Sequence, residues 1–162
     1  MLTWRSIGRK FRSPESWTSF SQVSRHWRST ALGAPELWTN ISLSYPRWAQ
    51  EMLIRSKKAK VTIQCGLSFQ TSIPKIIETV RSMRSCLYEM NRVEKIDITI
   101  TPRLILQIFR GLPKSAPQLH TLCIRNHSFH YAETEFSIDE NFLYDTERLQ
   151  RVELISVGIL SS

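Results

Sequence analysis

Three short stretches in the second half of the chain share one pattern, and it constrains the fold more than any other feature. They are Val93-x-x-Ile96-x-Ile98, Leu119-x-x-Leu122-x-Ile124 and Leu149-x-x-Val152-x-Leu154, with starts 26 and 30 residues apart. The last two apolar positions of each alternate with polar ones, as in a strand with one buried face. A helical signal lies between the first two copies. Thr101-Pro102 opens it, Leu104, Ile105, Ile108, Phe109 and Leu112 share one face, and Gly111 and Pro113 end it. Strand, helix and strand within so short a period predict parallel strands joined by return helices. A second return helix is expected over residues 139–144, with Asp139 as N-cap and Phe142 and Leu143 inside.

Upstream, Ile41-x-Leu43 and Val61-x-Ile63 read as earlier, degenerate strands of the same sheet. Tyr45-Pro46 starts a helix running to about residue 57, with Trp48, Met52 and Leu53 as its inner stripe. Pro74 begins a long helix whose apolar set is Ile73, Ile76, Val80, Met83, Leu87 and Met90. Period and strand core resemble irregular leucine-rich repeats, although the asparagine of the standard repeat is missing after each strand. A plain α/β domain gives the same signals, because buried parallel strands look alike.

Before these elements comes FSQVSRHWRSTALGAPELWTNISL, residues 20–43. Phe20, Val23, Trp27 and Ala31 recur at spacings of three and four, which predicts a helix with one apolar face. Arg25, His26, Arg28 and Ser29 fall on other faces. Gly33 is expected to supply a left-handed residue past the last turn, and Pro35 prevents continuation. Leu37 and Trp38 then give an apolar anchor. Val23, Arg25, Trp27, Arg28, Ala31, Leu32, Pro35, Leu37 and Trp38 match a V-C-R-x-W-R-x-I-A-L-x-x-P-x-L-W pattern, with Ser24 in place of Cys. This stretch resembles the end of the F-box-like domain found in large fungal (basidiomycete) families, where irregular leucine-rich repeats follow. The usual Leu-Pro-x-Glu first helix is absent before Ser13, so the F-box-like part reads as N-terminally incomplete. The repeats stop just after the third strand, so the array reads as incomplete at its C-terminal end too.

Charge is placed unevenly. The net +8 resides in residues 1–60, with 11 Lys/Arg against 3 Asp/Glu, while residues 61–162 hold 11 of each. A basic first part suggests an acidic partner, protein or nucleic acid. Arg5, Arg9, Lys10, Arg12, Arg25 and Arg28 can track phosphates, with Trp4, Phe11 and Trp17 among them, but no nucleic-acid motif accompanies them, and Trp17 and Trp27 read better as core. Cys65, Cys86 and Cys123 form no C-x-x-C pattern and read as small buried hydrophobes in a reducing compartment. No secretory signal and no run of about 20 apolar residues is visible, which points to the cytoplasm or nucleus.

Signals of chemistry are weak. There is no G-x-S-x-G, H-E-x-x-H or phosphate-binding glycine loop. Cys123, His127 and His130 lack the fourth ligand of a structural zinc site. Glu133, Glu135, Asp139, Glu140, Asp145 and Glu147 read as a solvated face with capping charges. No catalytic, cofactor or metal residue is therefore assigned.

The expected fold is mixed α/β: a partial F-box-like helical module over residues 1–45, then a leucine-rich-repeat-like solenoid of short parallel strands and helices over 46–162. The resemblance implies a substrate-recognition adaptor of a cullin-RING (SCF) ubiquitin ligase. Its N-terminal helices would bind a Skp-type adaptor protein, and its repeats an unidentified target. Val23, Arg25, Trp27, Arg28, Ala31, Pro35, Leu37 and Trp38 would be the partner-binding set. The alternatives are a non-catalytic interaction scaffold with a vestigial F-box, and a basic nucleic-acid-binding protein.

Overall fold

The computed structural model describes residues 24–68, 70–113, 115–126, 137–139, 144–155 and 158–160. Helix α1 (Arg25–Gly33) and a 3-10 turn (Pro35–Trp38) lead into strand β1 (Asn40–Ser42). Helix α2 (Pro46–Arg55), β2 (Val61–Gly66), α3 (Ile73–Leu87), a 3-10 turn (Met90–Arg92), β3 (Val93–Ile100), α4 (Pro102–Phe109) and β4 (Thr121–Asn126) follow. Then come β5 (Ser137–Asp139), β6 (Arg151–Ile155) and β7 (Gly158–Leu160). The protein is mixed α/β, built on a parallel five-stranded sheet in the order β1-β2-β3-β4-β6. Ile41-x-Leu43 and Val61-x-Ile63 thus belong to the sheet they were expected to extend.

The apolar positions of the pattern stack in register. Ile41 pairs with Ile63, Ile63 with Ile96, Ile96 with Leu122, and Leu122 with Val152. Cys65, Ile98, Ile124 and Leu154 form the next row. The first apolar residue of each copy enters through the same turn. The amide of Leu119 donates to Ala116 O (3.1 Å), that of Leu149 to Thr146 O (2.9 Å), and that of Val93 to Met90 O. A register shift where β2 meets β3 accounts for the two polar residues after Val93, which keep Val93 and Ile96 both buried.

Helices cover one face of the sheet. Met52, Val80, Met83, Ile105 and Ile108 share one core with Ile63, Ile96, Ile98 and Ile124, and Trp38, Ile41 and Leu43 belong to that same core. Ser82 Oγ donates to Pro46 O (3.1 Å), tying α3 to the start of α2. Helix α2 ends where Lys57 takes a left-handed conformation (φ 50), and α4 ends before Gly111 (φ 71), where lack of a side chain makes that conformation cheap. At the far end the core opens: Val152 occupies a core-facing row yet is 52% exposed.

Several expectations are corrected. Asp139 lies in β5, whose partner is β7 in a separate parallel pair, and residues 140–143 of the helix expected after it lie outside the described residues. Tyr144 forms an isolated parallel bridge to Ser115. Gly33 is the last helical residue and has no left-handed φ; Ala34, with φ -109, turns the chain instead. Trp27 is 49% exposed, and α1 contains no buried residue. Ile73 stands at the mouth of α3, exposed, one turn beyond the reach of the core. Residues 1–23, with Arg5, Arg9, Lys10, Arg12 and Trp17 among them, and His127, His130, Glu133, Glu135, Glu140, Phe142 and Leu143 lie outside the described residues. No described helix is long and apolar enough to cross a membrane.

All three cysteines are free and buried. Burial pushes the Cys65 and Cys86 thiols up to about 12 from an ordinary 9.0. At pH 8 such a thiol holds about one thiolate in 10,000. A thiol-reactive dye is therefore expected to label Cys65 and Cys86 only as fast as the chain unfolds, with prompt labelling in urea. The unfolded thiols ionise first as pH rises through 9, so stability is full below that value and falls above it. Prompt labelling of either thiol in the folded chain would contradict its placement.

Candidate functional site

Strands that alternate buried and half-buried residues leave one face of the sheet uncovered by the described helices, and that face is polar. Its middle row runs Ser42, Gln64, Asp97, Cys123 and Glu153 from strand to strand. A flanking row runs Asn40, Thr62, Lys95, Thr121 and Arg151. The opposite flank carries Gly66, Thr99, Arg125 and Ile155.

The charges on this face form one chain of alternating sign. Lys95 Nζ lies 3.3 Å from Asp97, Asp97 lies 2.6 Å from Arg125, Arg125 lies 3.2 Å from Glu153, and Glu153 lies 2.9 Å from Arg151. Arg125 is the hinge of the ladder: Nη1 donates to Asp97 on β3 and Nε to Glu153 on β6. The two carboxylate bonds hold its guanidinium above its ordinary value, while Arg125 and then Arg151 hold the Glu153 carboxyl below its own. Beneath lies Cys123, whose Sγ donates to Glu153 at 3.6 Å. Burial, then Asp97 and Glu153, push its thiol up, so it stays protonated and is a poor nucleophile. Beside the ladder, Ser42, Ser44, Gln64, Cys65, Gly66 and Asp97 line a shallow depression of about 300 Å³. Among the described residues no group of three His, Cys, Asp or Glu is placed to hold a metal ion.

The ladder's pH response has a defined sign. A carboxyl lowered in the folded chain contributes stability that is full above its unfolded value, here 4.5, and is lost as pH falls through the lower folded value. Glu153→Gln is therefore expected to flatten the stability profile below about pH 4.5, and to leave it unchanged in slope at pH 6–8. Urea titrations at stepped pH values read this out.

The residues expected to bind a partner divide into two groups. Arg25, Trp27 and Arg28 are exposed on α1, whose N-terminus is capped by Ser24 Oγ accepting from the Trp27 amide at 3.2 Å. Val23 lies outside the described residues. Ala31, Pro35 and Leu37 are half-buried, and Trp38 is 1% exposed. The Trp38 indole donates from Nε1 to Ala31 O at 2.8 Å, and the Arg55 guanidinium lies 4.4 Å from the ring centroid. Trp38 is thus a structural post that ties α1 to the sheet, while α1 itself, with no buried residue, presents a surface.

Residue-by-residue reading of the sequence missed the ladder, though its signal was present. Aligning the three copies of the pattern puts Asp97, Cys123 and Glu153 at the same polar position and Arg125 two residues further on. Comparison of the chain with protein-family models, with curated proteins and with solved structures gives no match.

Proposed function

We propose that this chain is a non-catalytic recognition adaptor of the F-box type. The segment around α1 docks on a Skp-type adaptor of a cullin-RING ubiquitin ligase, and an irregular leucine-rich-repeat-like body offers its uncovered sheet face to a target protein. The observation that supports this best is the sheet: five parallel strands, helices on one side, and a charged face on the other. Such a face recognises a partner by complementary charge and hydrogen bonds, which set specificity and encounter rate. The adaptor side rests on the resemblance of residues 23–38 and on the exposure of Arg25, Trp27 and Arg28. The mechanism is positioning: holding ligase and target together raises the effective concentration of target lysines near the conjugating enzyme.

A pull-down of the full chain with purified Skp-type adaptor tests this reading. Retention of the wild type, lost in a Trp27→Asp, Pro35→Ala double variant that keeps the wild-type thermal midpoint, is expected. Absence of micromolar binding by the wild type would remove the ligase role and leave a free-standing interaction scaffold. Strongly salt-dependent binding of mixed oligonucleotides would favour a nucleic-acid-binding role instead.

A further inference from the structure

On the helical side, away from the charged ladder, α3 and α4 leave an open groove of about 290 Å³ lined by Ile76, Ile77, Val80, Arg81, Arg84 and Gln107. Its apolar rim is bare. Ile73 and Ile77, one helical turn apart on α3, are 73% and 56% exposed. Large exposed apolar side chains gathered beside a concavity mark a contact surface more than scattered surface residues do. The groove is also preformed. Arg84 Nη1 donates to the carbonyls of Gln107, Ile108 and Arg110 at 2.9, 2.9 and 2.8 Å, which ties the end of α4 to α3.

The charge around the groove has one sign. Arg81 lines it, and Arg103 is exposed on α4 one turn before Gln107 and on the same helical face. The acid on these two helices is Glu78, which is paired with Arg47 of α2 at 3.3 Å. An apolar slot with a cationic rim and no carboxylate of its own along that rim selects a ligand that is apolar on one face and negative on its flanks.

We propose that this groove docks an acidic amphipathic helix of a partner protein. Apolar side chains at i, i+3 or i+4 seat against Ile73 and Ile77, and flanking carboxylates face Arg81 and Arg103. A slot between two helices suits a rod about 10 Å across, whereas a bilayer calls for a protruding face. Isoleucines neither stack on bases nor pair with phosphates. The groove is separate from both α1 and the sheet face, so this inference stands whether or not the adaptor reading does.

The test is fluorescence polarisation of the full chain with a labelled synthetic helix of about 14 residues, four turns. The probe carries leucines at i, i+3, i+7 and i+11 and glutamates elsewhere. Its scrambled form and its glutamate-to-lysine form are the controls. Micromolar binding of the acidic helix is expected, about tenfold weaker for the scrambled form and for Ile77→Asp. An Arg81→Glu, Arg103→Glu double variant is expected to switch preference to the lysine probe. All three substituted side chains are solvent-facing, and an unchanged thermal midpoint confirms folding. Equal binding of the scrambled probe, no binding of the acidic probe, or indifference to Ile77→Asp would overturn the proposal. So would Ile77-dependent binding to phosphatidylserine–phosphatidylcholine vesicles, or Ile77-dependent dimerisation of the chain, each of which names a different occupant.

Discussion

Urea unfolding of a Trp38→Ala variant is expected to show a loss of about 3–5 kcal/mol, the range for removing a large buried aromatic. Three contributions converge on this ring. Trp38 is 1% exposed and sits in the core with Ile41 and Leu43, so its removal leaves a cavity beside β1. Its Nε1–H satisfies Ala31 O near the end of α1. Arg55 of α2 lies on its ring, so the same side chain joins two helices and an edge strand. Trp38→Phe keeps most of the apolar volume and loses the indole donor, and is expected to cost about 1 kcal/mol from the hydrogen bond plus a smaller cavity term. A Trp38→Ala variant within 1 kcal/mol of wild type, on the same approximate scale, would mean that the ring is not a structural post.

The second large effect is expected at Arg92. Its guanidinium reaches back across the sequence to close the end of α2. Nη1 donates to Ser56 Oγ (2.9 Å) and Ala59 O (2.9 Å), Nη2 to Leu53 O (3.1 Å), and Nε to Glu89 (3.2 Å). The last carbonyls of a helix have no partner within it, and here one planar fork from the turn before β3 supplies it. Ser56 is fully buried with Arg92 in place, and its hydroxyl, which itself donates to Leu53 O at 2.8 Å, loses its donor when the arginine is removed. Arg92→Ala is expected to cost about 2–4 kcal/mol, chiefly from acceptors left unsatisfied. Arg92→Lys recovers only part, because one ammonium cannot span the three acceptors. A shift of the urea midpoint with unchanged slope would identify a stability effect on an intact fold.

Arg92 also shows where sequence reading stops. The strands were legible because their apolar residues keep a fixed period, and the period survives without knowledge of the partner. The long helix over Ile73–Leu87 was legible for the same reason. Arg92 and Arg84 serve acceptors 33 to 39 and 23 to 26 residues away, and no local rule connects them. Trp27 illustrates the opposite error. Helical spacing grouped it with Ala31, but spacing assigns a face, and the described residues place nothing large against it. The ladder lay between these cases: Asp97, Arg125 and Glu153 became a set only when strands 26 to 30 residues apart were laid side by side.

The strand order has a consequence for how the molecule comes apart. Each strand of the large sheet pairs only with its neighbours in sequence, so its ladders link segments 22 to 33 residues apart and none joins the two ends of the chain. Closing such loops is entropically cheap, and the chain belongs among fast folders for a parallel sheet. The same topology lets the structure fray from its edges inward, because loss of β6 leaves the β1–β4 ladders intact. Amide exchange should therefore be graded, slowest in β3, which has a paired strand on both sides and fully buried isoleucines at 96, 98 and 100, and fastest in β6. A pulling force applied at the two termini would meet a series of modest barriers, one strand at a time, in place of a single large one.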